Sequence, residues 1–202
     1  MLKNRKKKNN KAADHNHPTQ LAERFAQFTN ATESIKAHWE EHKWDWKPLD
    51  FSSDSLETAD ALLGIANALR GAGGGFVEYS FVTTLGYYYG EVLVRSLGGH
   101  WERTPQEFRE DTPDNQEWCV EFAADGKDRM LCCPTNGVWS RLTEADMPSL
   151  PEQYKIAVAC LDTMKSGIAA DKLEDALQAK VQPLDCRLSF TTREAPTDSV
   201  AI

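Results

Sequence analysis

The apolar residues of this chain change their spacing near residue 100, and that change constrains the fold more than any other feature. Before it they recur every three or four residues, which is typical of amphipathic helices. After it Trp118, Val120 and Phe122 alternate with glutamate and cysteine, which is typical of a half-buried strand. Helices that precede a hairpin, without regular alternation, predict an α+β fold with helices packed on one face of a small antiparallel sheet.

Three helices are predicted before the change. The first begins at Thr19 and ends before Pro48, because the residue that precedes a proline disfavours helical geometry. The second ends near residue 70, and the third spans about residues 76–97 with two glycines as its C-terminal stop. The apolar side chains of the first helix form one stripe: Leu21, Phe25, Phe28, Thr32, Ile35 and Trp39.

A hairpin and a second helical part are predicted after the change. The elements are a candidate short strand at 100–102, strands at 117–122 and 129–133, helices at about 151–165 and 169–181, and a strand at 184–190. A length of 202 residues suits one domain. We expect a disordered basic leader over residues 1–17, a single α+β domain over 18–192 and a flexible tail over 193–202.

The charge of the chain is unevenly distributed. Six of its 23 Lys and Arg lie within residues 1–11, so the rest carries 17 bases against all 31 acids, a net charge of −14. So acidic a body repels nucleic acid and anionic membranes, and neither is an expected partner of it. The leader is expected to make at most a weak contact with an anionic surface, through Lys3, Arg5, Lys6, Lys7, Lys8 and Lys11.

Composition also bears on the compartment. No run of 18 uncharged apolar residues is present, so no transmembrane segment is predicted, and no secretory signal follows the basic start. The five cysteines are an odd number, which favours free thiols in a reducing compartment over a disulfide framework. We therefore expect a soluble, cytoplasmic protein.

One motif resembles a metal site. His38 and His42 flank Glu41 in the pattern H-x-x-E-H, and the two histidines share a helical face. Zinc catalysis also needs a third ligand and a positioned water, and no downstream acidic helix supplies that ligand. An exposed helix end is the favoured interpretation, and the sequence predicts neither a metal centre nor a cofactor.

The third predicted helix contains Gly86 and Gly90 one above the other. A glycine costs about 1 kcal/mol relative to alanine in a helix interior, so the pair predicts another backbone packed closely there. Whether that backbone belongs to this chain or to another stays open. Glu91 follows with Arg95 one turn on, and a structural ion pair is favoured over a carboxylate aimed into a cleft.

Two short runs carry a family resemblance: Tyr89-Gly90-Glu91-Val92-Leu93 and Leu97-Gly98-Gly99-His100-Trp101. They resemble small bacterial domains, many from actinobacteria, in which an aromatic-x-Gly-Glu-x-Leu helix precedes a Gly-Gly-x-Trp turn into a strand. The resemblance covers about residues 55–142 and implies a helix-then-sheet α+β domain. It implies no activity and no catalytic residues.

The function expected from these features is binding to another protein, as an adaptor, inhibitor or immunity-type protein, rather than catalysis. No complete catalytic set is evident, and tryptophan and tyrosine, which dominate interface hot spots, are abundant. The candidate binding residues are Glu91, Arg95, His100, Trp101 and Trp118. The alternative is a small enzyme or ligand-binding domain with a pocket near Glu91, Arg95 and His100.

Overall fold

A computed structural model describes most of the chain between residues 17 and 166. The described ranges are 17–70, 75–105, 117–123, 129–144 and 146–166, with backbone alone at 69, 70 and 75–78. The predicted leader, the helix at 169–181, the strand at 184–190 and the tail lie outside these residues.

The described residues form six helices and one three-stranded sheet. In chain order the elements are α1 (Pro18–Ala31), α2 (Glu33–Glu41), α3 (Leu56–Arg70), α4 (Gly75–Leu97), β1 (His100–Arg103), β2 (Trp118–Ala123), β3 (Arg129–Cys132), α5 (Pro134–Thr143) and α6 (Leu150–Lys165). The strands are antiparallel in the order β1-β2-β3, with Trp101 opposite Val120 and Val120 opposite Cys132. The α+β prediction is confirmed.

The prediction of one continuous helix from Thr19 towards Pro48 is wrong, because the chain breaks at Thr32. Thr32 has an extended backbone (φ −85°, ψ 102°), and its hydroxyl donates to the Phe28 carbonyl at 2.7 Å. Threonine offers the backbone such local alternatives to helical hydrogen bonds. The break also ends the predicted apolar stripe, since Phe28 is 69% exposed while Thr29 is buried.

Helix α4 packs closely against other parts of this chain at its two central glycines. A Cβ on Gly86 would lie 2.7 Å from the Cα of Thr135 in α5. A Cβ on Gly90 would lie 2.6 Å from Cζ2 of Trp101 and 2.8 Å from Cγ of Pro134. The predicted close approach of another backbone is confirmed at Gly86, where it belongs to α5 of this chain, whereas the close neighbours of Gly90 are the side chains of Trp101 and Pro134.

Helix α5 was not predicted from the sequence. Its residues include Asn136 and Gly137, which are poor helix formers, and its buried apolar side chains are few. Val138 and Leu142 are nevertheless buried one turn apart, and Pro134 occupies the first turn, where its missing N–H is not needed. Packing against α4, rather than helix propensity, therefore stabilises α5.

Strand β2 is more buried than its alternation predicts. Cys119 and Glu121 were expected on an open face, but both are buried, as are Val120 and Phe122. The position of β2 between two neighbours removes the open edge, and Arg129 covers Glu121 by donating to its Oε1 at 2.9 Å. The expectation is confirmed for Val120 and Phe122 and wrong for Cys119 and Glu121.

Candidate functional site

Glu91 lies in the middle of α4 and is only 4% exposed. Its Oε2 accepts hydrogen bonds from the Thr19 hydroxyl and from the Trp101 indole N–H, each at 2.9 Å. Its Oε1 accepts from Nε of Arg95 at 2.8 Å. The carboxylate therefore ties α1 and β1 to α4. With donors on both oxygens, Glu91 has the surroundings of a structural residue rather than of an open cleft.

Arg95 extends the same network towards the surface. Its Nη2 donates to Oε1 of Glu23 in α1 at 2.8 Å, and its guanidinium lies 3.9 Å from the centre of the Phe51 ring. Burial opposes the charge, but hydrogen bonds and attraction from Glu91 and Glu23 raise the pKa of Arg95. Phe51 has a left-handed backbone (φ 66°), and its N–H donates to the Tyr88 hydroxyl at 3.1 Å. Arg95 thus holds α1 and an unusual loop conformation against α4.

His100 is not part of this network. Its neighbour Trp101 reaches Glu91, and successive side chains of a strand point to opposite faces of the sheet. The His100 side chain is 58% exposed, with its Nε2 4.0 Å from Oε1 of Glu121. The structure therefore brings Glu91, Arg95 and Trp101 together and leaves His100 on the other face.

Trp118, the remaining candidate binding residue, is half-buried at the start of β2. The guanidinium of Arg103 lies 4.1 Å from the centre of its ring, and the His17 ring meets it edge-on with centroids 5.1 Å apart. Trp118 therefore contacts a cation and an imidazole of its own chain.

A tryptophan that the sequence analysis did not single out is more exposed. Trp44 follows α2, and its side chain is 44% exposed. Its ring packs edge-on against buried Trp39 with centroids 5.3 Å apart and against His38 at 5.7 Å, and the tilted ring of His42 lies 4.9 Å away. Trp44, His38 and His42 are called the Trp44 surface below. The sequence signal that could have identified Trp44 is a tryptophan among charged residues just past the end of a helix.

The backbone after α2 fixes the position of Trp44. Lys43 is left-handed (φ 54°), its N–H donates to the Glu40 carbonyl at 3.1 Å, and the Trp44 N–H donates to the Trp39 carbonyl at 3.0 Å. These two bonds form a Schellman motif, and the Trp44–Trp39 ring contact is the apolar contact that accompanies it. The exposed indole is therefore held by both backbone and side-chain contacts.

Three of the described cysteines are poor nucleophiles. Burial raises the pKa of Cys119 to about 12, and burial likewise raises the pKa of Cys132 and Cys133. The thiolate is the reactive form, so these thiols are unreactive near neutral pH. Cys119, Cys132 and Cys133 are not joined in disulfides.

Searches against protein-family models, curated proteins and solved structures find no match to the chain. The resemblance to small actinobacterial domains therefore stays a prediction. Among the described residues, no helix combines the length and the apolar character that crossing a bilayer requires.

Proposed function

We propose that this is a non-catalytic, cytoplasmic binding protein whose Trp44 surface anchors a basic partner protein. Such a protein would act as an adaptor, an inhibitor or an immunity-type protein. The observation that carries the proposal is the exposed indole of Trp44, held in place against buried Trp39.

The fixed position of the Trp44 side chain suits a residue that anchors an interface. Tryptophan is enriched among the few residues that supply most of the binding energy of an interface. Ordering a mobile side chain costs about 0.5–1.5 kcal/mol on association, and a side chain that is already held avoids much of that cost. The ring contacts with Trp39 and His42 and the Schellman motif meet this condition before any partner arrives.

The charge around Trp44 defines the class of partner. Glu40, Glu41 and Asp45 are exposed around the helix end together with Lys43, which leaves these four side chains with a negative sum, and the chain as a whole carries a net charge of −8. Complementary charge speeds encounter and excludes partners of like charge. A partner with a basic rim around an apolar depression fits this surface.

Two further observations support the proposal. The first favours binding over catalysis, and the second favours a reducing compartment. The carboxylate that the enzyme alternative needs, Glu91, is occupied by Thr19, Trp101 and Arg95. The free thiols of Cys119, Cys132 and Cys133 fit a reducing compartment.

The test compares two exposed tryptophans. Trp139 on α5 is 36% exposed and serves as the matched control for Trp44. Wild-type protein, Trp44→Ala and Trp139→Ala are each used to capture partners from the native host, followed by direct titration of the recovered partner at increasing salt. We expect a basic partner that binds Trp139→Ala as tightly as it binds the wild type. Trp44→Ala should lose about 2 kcal/mol or more of the binding free energy, as for a hot spot. Increasing salt should weaken the binding of the wild type.

The proposal is wrong if no stoichiometric partner is recovered. A partner that both variants bind equally tightly, or one whose affinity does not respond to salt, also contradicts it. Circular dichroism of both variants establishes that they are folded before binding is compared.

A further inference from the structure

Three side chains at the end of α2 offer metal-ligating atoms to one point. One ligand atom each from His38, Glu41 and His42 lies within 4.8 Å of the other two. The spacing of three and four residues places them on one face of the helix. Ligands bound to zinc at about 2.0–2.2 Å lie within about 4 Å of one another, so small side-chain rotations bring the three into coordination range.

The hydrogen bonding of His42 prepares it as a ligand. Its Nδ1 lies 2.9 Å from the carbonyl oxygen of His38. A carbonyl can only accept, so Nδ1 donates this bond, and in the neutral ring Nε2 then presents its lone pair. Metal-ligating histidines commonly donate their other ring N–H to a backbone carbonyl in this way, which fixes the tautomer and the ring orientation.

The surroundings hold the cluster in place and favour a cation. The Schellman motif at Lys43 and the Trp44 ring, 4.9 Å from that of His42, hold the end of the helix. The last carbonyl groups of a helix carry partial negative charge, which attracts cations to this end. His38 is half-buried, whereas Glu41 and His42 are exposed, so an ion has open access.

We propose that His38, Glu41 and His42 form a binding site for one zinc-type divalent cation. Two imidazole nitrogens and one carboxylate oxygen suit zinc, and the same donors accept nickel and copper. Three protein ligands leave one tetrahedral position for water or for another ligand. The site does not rest on the proposed binding function, because it is a property of the protein alone.

The test is titration of the metal-free full chain with Zn²⁺ by calorimetry, with Co²⁺ absorption as a report of the ligand set. His42→Gln and Glu41→Gln each remove one ligand. Glu40→Gln makes the same charge change one residue away, and His100→Gln removes an exposed histidine elsewhere, so these are the matched controls.

We expect one Zn²⁺ per chain for the wild type and for both controls. His42→Gln and Glu41→Gln should bind at least about 10–100-fold more weakly, since even changes behind the ligands cost that much. The Co²⁺ spectrum should change in these two variants alone. The proposal is overturned if the wild type does not bind Zn²⁺, or if both ligand variants bind it as tightly as the controls do. Partner capture through Trp44 can fail without affecting this result.

Discussion

Alanine at Gly86 and at Gly64 tests the close packing of α4 with opposite expected signs. Both glycines lie inside helices, so each substitution gains about 1 kcal/mol of helix propensity. At Gly64 the new Cβ meets nothing within 4 Å, whereas at Gly86 it would lie 2.6 Å from Cγ2 and 2.7 Å from Cα of Thr135. Ordinary contact begins near 3.4 Å, so at Gly86 a backbone must move by roughly 0.7 Å.

The magnitude follows from the cost of overpacking. Extra methyl groups in a packed core cost about 1–3 kcal/mol, and a backbone atom cannot rotate out of the way. After the propensity gain, Gly86→Ala should lose up to about 2 kcal/mol, and Gly64→Ala should gain up to about 1 kcal/mol. The difference between the two variants cancels propensity and equals the packing cost itself.

The assay is urea unfolding of both variants and the wild type, read as the midpoint at unchanged m-value. In a chain of this size, 1 kcal/mol corresponds to about 2–4 °C in Tm, so thermal unfolding gives a second measure. The reasoning is refuted if Gly86→Ala is stabilised as much as Gly64→Ala, since α4 and α5 would then not be in contact at Thr135.

Two further predictions concern buried polar groups. Glu91→Ala should destabilise the protein by about 2–6 kcal/mol in urea, because the Trp101 indole and the Thr19 hydroxyl lose their acceptor at about 1–3 kcal/mol each. Glu91→Gln, whose carbonyl still accepts, should lose less, and wild-type stability of Glu91→Ala would contradict the structural role. Burial raises the pKa of Cys119 from 9.0 to about 12, so between these values the unfolded chain has lost a proton that the folded chain keeps. The stability of the wild type should therefore fall as pH rises from 9.0 to about 12, and that of Cys119→Ala should fall less steeply. If thermal unfolding gives the same pH dependence for both proteins across that range, Cys119 is not the origin of the loss.

The elements that the sequence predicted well are those with a long, regular apolar period. Helices α3 and α4 end at Arg70 and Leu97, close to the predicted ends, and the hairpin falls where the spacing changes. The cost of two glycines in α4 likewise predicted close packing without identifying the partner. Periodicity and propensity are local, so they define the elements and their buried faces but not their neighbours.

The features that the spacing of apolar residues could not predict depend on contacts between residues far apart in the chain. The acceptor role of Glu91 needs Thr19, which is 72 residues away, and the helical state of α5 needs α4 beneath Thr135. The break at Thr32 replaces a continuous helix with two that pack separately, which no stripe of side chains predicts.

The candidate sites divide in the same way. The sequence alone showed His38 and His42 on one helical face, because helical spacing determines which side chains are neighbours, and the structure adds Glu41 to them. It also placed Glu91 beside Arg95, one turn apart. Only the tertiary structure showed that His100 lies on the other face of the sheet from Glu91, because packing decides which face of a strand is buried. Only the tertiary structure showed that Trp44 packs on Trp39, because the direction of the chain after a helix also depends on what it packs against.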